Sequence, residues 1–200
     1  MLYPPVETGR FAPAPVGEHY MVLAELMAHK RIDVAIRAFN RLGLPLLVVG
    51  NGPDARRLHR IAGPTIRFTG FLGDARVAEL LVRARALVVP ATEEFGIAAV
   101  EAHAAGRPVI ALREGGARET VIDGVNGTFF DQPTVDALTH AIDAFDPMAI
   151  DRRECVRSAE RFGVERFNRG MRAIVDEALA DDRPPRELRR RRPRGLALAS

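Results

Sequence analysis

From Tyr20 onward the chain alternates short apolar runs with stretches of helical period, joined by brief connections. The runs at 20–24, 44–50, 65–69, 86–90, 109–112 and 127–130 are short and rich in branched or aromatic residues, which predicts strands. Between them, Ile32, Ala35, Ile36 and Phe39 fall at helical spacing. So do Leu58 and Ile61 within 53–62, and then Val77, Leu80 and Leu81. Further helices are expected at about 97–105, near 117–122, and over 134–145, where Val135, Leu138, Ile142 and Phe145 carry the period. Two more helical stretches, near 148–161 and over 164–180, close the body. Strands and helices alternating in this way predict an α/β fold, a mostly parallel sheet with helices on both faces.

The chain has 200 residues, enough for one domain with a sizeable core. Residues 1–19, with Pro4, Pro5, Pro13 and Pro15, read as an extended linker-like segment. Residues 183–200 hold seven arginines and one glutamate, a net +6, so against a total of +3 the other 182 residues carry −3. Residues 181–200 are therefore expected to be a basic, poorly folded tail behind a body at 20–180. A mildly acidic body argues against a nucleic-acid-binding fold. The tail itself suits weak contact with anionic lipid headgroups, although charge runs of this kind are more often simply solvated. Cys155 is the only cysteine, which leaves no intrachain disulfide and fits a reducing cytoplasm. No apolar run approaches the length of a membrane span, and no secretory leader pattern opens the chain. A cytoplasmic protein is expected, with the inner face of the membrane as a second location.

The residues with chemical potential cluster at the carboxyl ends of predicted strands, where open α/β sheets bind their ligands. Glu93 lies on the loop after the 86–90 strand, and Glu101 about a turn and a half into the following helix. Carboxylates there accept hydrogen bonds from sugar or ribose hydroxyls, and the N–H groups near Gly96 and Ile97, at the helix start, suit a phosphate. Gly50-Asn51-Gly52-Pro53 and Gly115-Gly116 follow two other strands; each is either an ordinary turn or part of the same site. Lys30 is predicted to begin a helix, where its charge opposes the macrodipole and is better explained as a phosphate ligand than as decoration. Glu94 reads as a first-turn cap carboxylate. A paired-carboxylate hydrolase remains an alternative for Glu93 and Glu101. The five histidines show no metal-binding spacing, and His103 is assigned a structural place.

The stretch Glu93-Glu94-Phe95-Gly96-Ile97 to Val100-Glu101-Ala102 resembles the Glu-seven-Glu motif of glycosyltransferase family 4. Gly50-Asn51-Gly52-Pro53, Phe68-Thr69-Gly70-Phe71, Gly106-Arg107-Pro108-Val109 and Gly115-Gly116 stand in the family's order. The likeness covers about residues 1–180 and implies a Rossmann-like domain, the carboxyl-terminal, donor-binding half of a two-domain GT-B enzyme. It implies that Glu101 binds the nucleotide ribose and Glu93 the donor sugar. The N–H groups around Phe95, Gly96 and Ile97 would meet sugar and phosphate, and Lys30 would neutralise the diphosphate as it leaves. Gly50, Gly52, Gly115 and Gly116 would line the same site. The partner implied is a nucleotide-diphosphate sugar, GDP-mannose by the Phe95-Gly96-Ile97 form of the motif, with retention of configuration and no metal or other cofactor.

Two departures accompany the likeness. Where the family carries Gly-Arg-Leu before the lysine, this chain has Ala24-Glu25-Leu26, and a carboxylate beside a diphosphate is repulsive. Residues 1–19 are also too few to form the amino-terminal acceptor-binding domain. The expected protein is a hexosyltransferase half, inactive without a separate amino-terminal domain. The alternatives are a non-catalytic nucleotide-sugar-binding module, or a truncated relic acting only through interactions.

Overall fold

A computed structural model describes residues 2–180; the expected basic tail, 181–200, lies outside them. Six strands form one parallel sheet: β1 (Tyr20–Leu23), β2 (Leu46–Val49), β3 (Ile66–Gly70), β4 (Leu87–Val89), β5 (Val109–Leu112) and β6 (Gly127–Phe130). The helices between them are α1 (Ile32–Leu42), α2 (Ala55–Ile61), α3 (Asp74–Leu81), α4 (Ile97–Ala104) and α5 (Ala117–Thr120); α6 (Val135–Ala144), α7 (Arg152–Glu160) and α8 (Val164–Ala180) follow β6. The expected α/β fold and its element order are therefore observed, with differences of a few residues at most element ends.

The strand order is β3-β2-β1-β4-β5-β6. β1 pairs with β2 over its whole length, Tyr20 with Leu46 through Leu23 with Val49. On its other side β1 meets β4 at Met21 and Leu87. The chain thus winds outward from β1 in one direction, returns to the centre, and winds outward from β4 in the other. This reversal opens a crevice at the carboxyl ends of β1 and β4.

Alternation along the strands builds two apolar layers. Val22, Val48, Val88, Ile110 and Leu112 face α1, α2 and α6, meeting Ile36, Phe39, Leu58, Leu138 and Ile142. Met21, Val49, Leu87, Val89, Val109 and Ala111 face α3, α4 and α7, where the alanines of α4 allow close packing on the sheet. The central strands are buried on both faces, which is why they read as continuous apolar runs rather than alternating ones.

Residues 2–19 are irregular, apart from a single 3-10 turn at Thr8–Arg10, and they are fastened to the body. Val6 is buried and its N–H donates to the Phe162 carbonyl at 2.9 Å. The buried guanidinium of Arg107 donates to the carbonyls of Val82 and Ala14, and the Gly17 N–H donates to the Arg83 carbonyl at 2.7 Å. The segment crosses the α3–α4 side of the domain as a strap. α8, by contrast, leaves Met171, Ile174, Val175 and Leu179 exposed.

Phe39 is fully buried against the Tyr20 ring, at 5.1 Å between centroids. Phe39→Ala is expected to lower unfolding stability by about 3–5 kcal/mol, read as a fall in the urea midpoint with little change in slope.

Candidate functional site

The crevice at the switch point brings together side chains from loops far apart in sequence. Lys30 follows β1, Glu93 follows β4, and the Lys30 Nζ donates to Glu93 Oε2 at 2.7 Å. Both side chains are about three-quarters buried. Lys30 does not begin a helix, as the sequence suggested. It ends a 3-10 turn at Ala28–Lys30, Arg31 takes a left-handed conformation with φ +50°, and α1 starts only at Ile32. The left-handed residue separates the lysine from the helix axis, so its place is set by the ion pair across the crevice and not by the dipole of α1.

The Glu93 loop is locked from two sides. Gly116 donates its N–H to the Glu93 carbonyl at 2.8 Å. A Cβ on Gly116 would lie 2.4 Å from the Phe95 Cα, so only glycine lets the β5–α5 loop close on this backbone. Gly115 forms a parallel bridge with Glu93. On the other side the Phe95 ring stacks on Tyr3 at 5.6 Å and meets Phe162 edge-on at 5.3 Å. The Phe95 side chain thus belongs to the packing of the strap, and only its backbone is left for a ligand. Gly96 then caps α4 with no side-chain acceptor. Among the described residues, no acceptor meets the N–H groups of Gly96, Ile97 and Ala98, so the helix start presents donors of the kind anions bind.

Gly50 and Gly52 serve a similar closing role on the β2 side. A Cβ on Gly50 would fall 1.9 Å from the Ala24 carbonyl oxygen and one on Gly52 2.5 Å from that of Leu26. Their closest approach is therefore to the β1 loop, not to open space. Gly50 and Asn51 nevertheless line a cleft of about 520 Å³ with Glu25, Phe71, Asp74 and Glu101. Glu25 is exposed there. Phe71 is 82% exposed at the lip, a flat apolar face of the kind that stacks on nucleobases.

Glu101 points into this cleft with only 15% of its side chain exposed. The Arg10 Nη2 donates to its Oε1 at 2.5 Å, and Arg10 also lies 3.6 Å from Asp74. Burial pushes the Glu101 carboxyl up, against the opposing pull of Arg10, and Asp74 adds a smaller upward push. Arg10 and Asp74 carry no signal in the sequence, and Phe71 stands out there only as part of the Phe68-Thr69-Gly70-Phe71 motif, with no place in the site. Arg10 sits in a segment that looks like a linker, and nothing in the spacing of residues 10, 74 and 101 announces that they meet. A larger cleft, about 760 Å³, runs between residues 7–14 and α3 and holds none of the predicted site residues.

His103 is fully buried, its Nε2 3.0 Å from the Asn126 carbonyl oxygen, which agrees with the structural place assigned to it. No group of three or more His, Cys, Asp or Glu side chains arranged to hold a metal occurs among the described residues. No helix among them is long and apolar enough to cross a membrane.

The family model for glycosyl transferases group 1 matches residues 17–162. A GDP-mannose-dependent alpha-(1-6)-phosphatidylinositol monomannoside mannosyltransferase of Mycolicibacterium smegmatis is 34% identical over 172 residues, covering 70% of this chain and 45% of the relative. A glycogen synthase of Mycobacterium tuberculosis is 35% identical over 147 residues, covering 66% of this chain and 35% of its own. The chain thus spans less than half the length of these curated relatives. Among solved structures, Anabaena HepE in complex with UDP and glucose shares the fold at TM-score 0.77 and 20% identity, over 88% of this chain and 56% of the other. The sucrose-phosphate synthase of Thermosynechococcus elongatus does so at TM-score 0.78 and 26% identity, over 88% and 52%.

Burial lowers the His103 pKa from 6.5 to about 4. Above about pH 6.5 the ring is neutral in both folded and unfolded chains and contributes no pH dependence. Between 6.5 and 4 the unfolded chain takes up a proton that the folded one refuses, so stability falls as pH falls. His103→Gln is expected to lose less stability than the wild type from pH 6.5 to 4.5 in parallel urea titrations.

Proposed function

The chain belongs to the group 1 glycosyl transferases, and on that premise we propose that it is the donor-binding half of a retaining sugar transferase that uses a nucleotide-diphosphate sugar. The observation that carries the reading is the ion pair of Lys30 with Glu93 across the switch point, beside the open N–H groups of α4. In a nucleotide sugar the sugar's anomeric carbon and the diphosphate are joined through one oxygen. A cation and a carboxylate 2.7 Å apart are spaced to serve those two neighbours, Lys30 turning to the phosphate and Glu93 to the sugar hydroxyls. Glu101 lies one turn further along α4, roughly 6 Å beyond the helix start at 1.5 Å per residue, in reach of the ribose. The cleft beyond it, lipped by Phe71, suits the base.

In this reading the enzyme lowers the barrier mainly at the leaving group. Breaking the sugar–phosphate bond builds charge on the diphosphate, and Lys30 and the α4 N–H groups offset it in a half-buried crevice. No metal or other cofactor is assigned a role in this step. GDP-mannose is the favoured donor, supported by the GDP-mannose dependence of the similar mannosyltransferase of Mycolicibacterium smegmatis. The exposed apolar side chains of α8 support the further proposal that an amino-terminal acceptor-binding half covers part of this domain, and that the 200-residue chain has no turnover alone. A non-catalytic nucleotide-sugar-binding module would present the same donor site, and measurable turnover once an amino-terminal half is supplied excludes it.

Calorimetric titration of the purified chain with GDP-mannose, GDP and UDP tests the site. Binding of one nucleotide is expected, weakened about tenfold or more by Glu101→Ala and by Lys30→Ala, since each removes a charge-assisted contact of about 1.5–3 kcal/mol. A folded chain that binds none of the three sinks the donor-site reading.

A further inference from the structure

Glu101 does not stand alone in its cleft. Its partner, Arg10, comes from the strap, and is itself fixed. The guanidinium carbon lies 5.1 Å from the Phe11 ring centroid, Nη2 is given to Glu101 and Nη1 lies 3.6 Å from Asp74. Among the described residues, Arg10 Nε is buried with no acceptor, so the guanidinium charge is met through its two outer nitrogens. Arg10 occupies one of the two carboxylate oxygens of Glu101. Oε2 keeps its lone pairs, and an ionised carboxylate accepts several hydrogen bonds at once.

We infer that Arg10 is a positioning residue of the nucleotide site: its guanidinium holds the Glu101 carboxylate turned into the cleft, so that its free oxygen meets the ribose hydroxyls. The inference rests on the donor-site reading above and adds to it a residue from outside the family match, which begins at residue 17. The charged groups facing Glu101 are Arg10 from the 3-10 turn, Asp74 from the start of α3 and, lining the same cleft from the β1 loop, Glu25. Arg10 is the cation among them. Without it a largely buried carboxyl near Asp74 takes up a proton more readily, and a protonated acid offers the ribose a poorer acceptor. Arg10 therefore acts through Glu101 and has no need to touch the nucleotide.

The test pairs two readouts on the full chain. The Glu101 carboxyl is followed by carbon-detected NMR against pH in wild type, Arg10→Met, Arg10→Lys and Asp74→Asn. Arg10→Met is expected to move the titration midpoint up and Asp74→Asn down, with Arg10→Lys staying near wild type because it keeps the charge. Binding of GDP-mannose, whose esterified diphosphate does not titrate in this range, is measured at pH 8 and pH 5.5. Arg10→Met is expected to lose more affinity than wild type between those values, by a factor set by how far its carboxyl midpoint rises, and Glu101→Gln to abolish the difference. A merely structural arginine would weaken binding by the same factor at both pH values, and that result overturns the inference. So does an unmoved carboxyl midpoint in Arg10→Met, or tighter binding by that variant at every pH, which would make Arg10 a competitor of the ribose. If Arg10→Met does not fold, Asp74→Asn and Arg10→Lys decide the matter, since carboxyl midpoints that do not move apart in the two also overturn it. Carboxyl shifts as expected in a wild-type chain that binds no nucleotide overturn the donor-site reading instead, and with it the role given to Arg10.

Discussion

The adjacency of β1 and β4 is the constraint on which the rest of the molecule depends. These strands are joined at Met21 and Leu87, at the centre of a sheet whose winding reverses there. Because both run parallel, their carboxyl ends open on the same side, and the loops that follow them must share one crevice. Lys30 and Glu93 are 63 residues apart in the chain and meet only for this reason. Burial of the central strands between two apolar layers makes the adjacency rigid: a slip of one residue would turn Val22 and Val88 out of one layer and into the other.

Around the crevice, backbone is brought against backbone by residues without side chains. Gly116 sits on Phe95 and Gly50 on Ala24, each at a distance that a Cβ would violate. These contacts hold the loops, and so the charged groups, at fixed spacing before any ligand arrives. Preorganisation of this kind is what the proposed leaving-group site requires, since its donors need not be reoriented as charge develops. The aromatic trio Tyr3, Phe95 and Phe162 completes the arrangement by pinning the Glu93 loop to the strap and to the turn between α7 and α8.

Much of this was legible beforehand. The strands at 109–112 and 127–130 and the helix at 164–180 occur at the expected residues, because apolar runs bounded by glycine, proline or charge leave little freedom at their ends. The Glu93–Glu101 spacing placed one carboxylate on a loop and the other on α4, since local helix geometry alone sets that relation. Lys30 stands out in the sequence for a reason that does not hold: the sequence shows a basic residue before a helical run, but not the left-handed Arg31 that detaches it from the helix. Phe95 was read for its backbone, and its ring turned out to serve the packing of the strap.

The sequence by itself determined the class of fold, the order of its elements and the residue types at the strand ends, because periodicity and turn chemistry are local and survive without the rest of the chain. Only the tertiary structure decided which charges face each other. That Arg10 reaches Glu101, that Asp74 stands beside them, and that Glu93 pairs with Lys30 follow from the packing of distant segments. Contacts of that kind depend on strand order and on the path of an irregular strap, neither of which leaves a periodic signal in the chain.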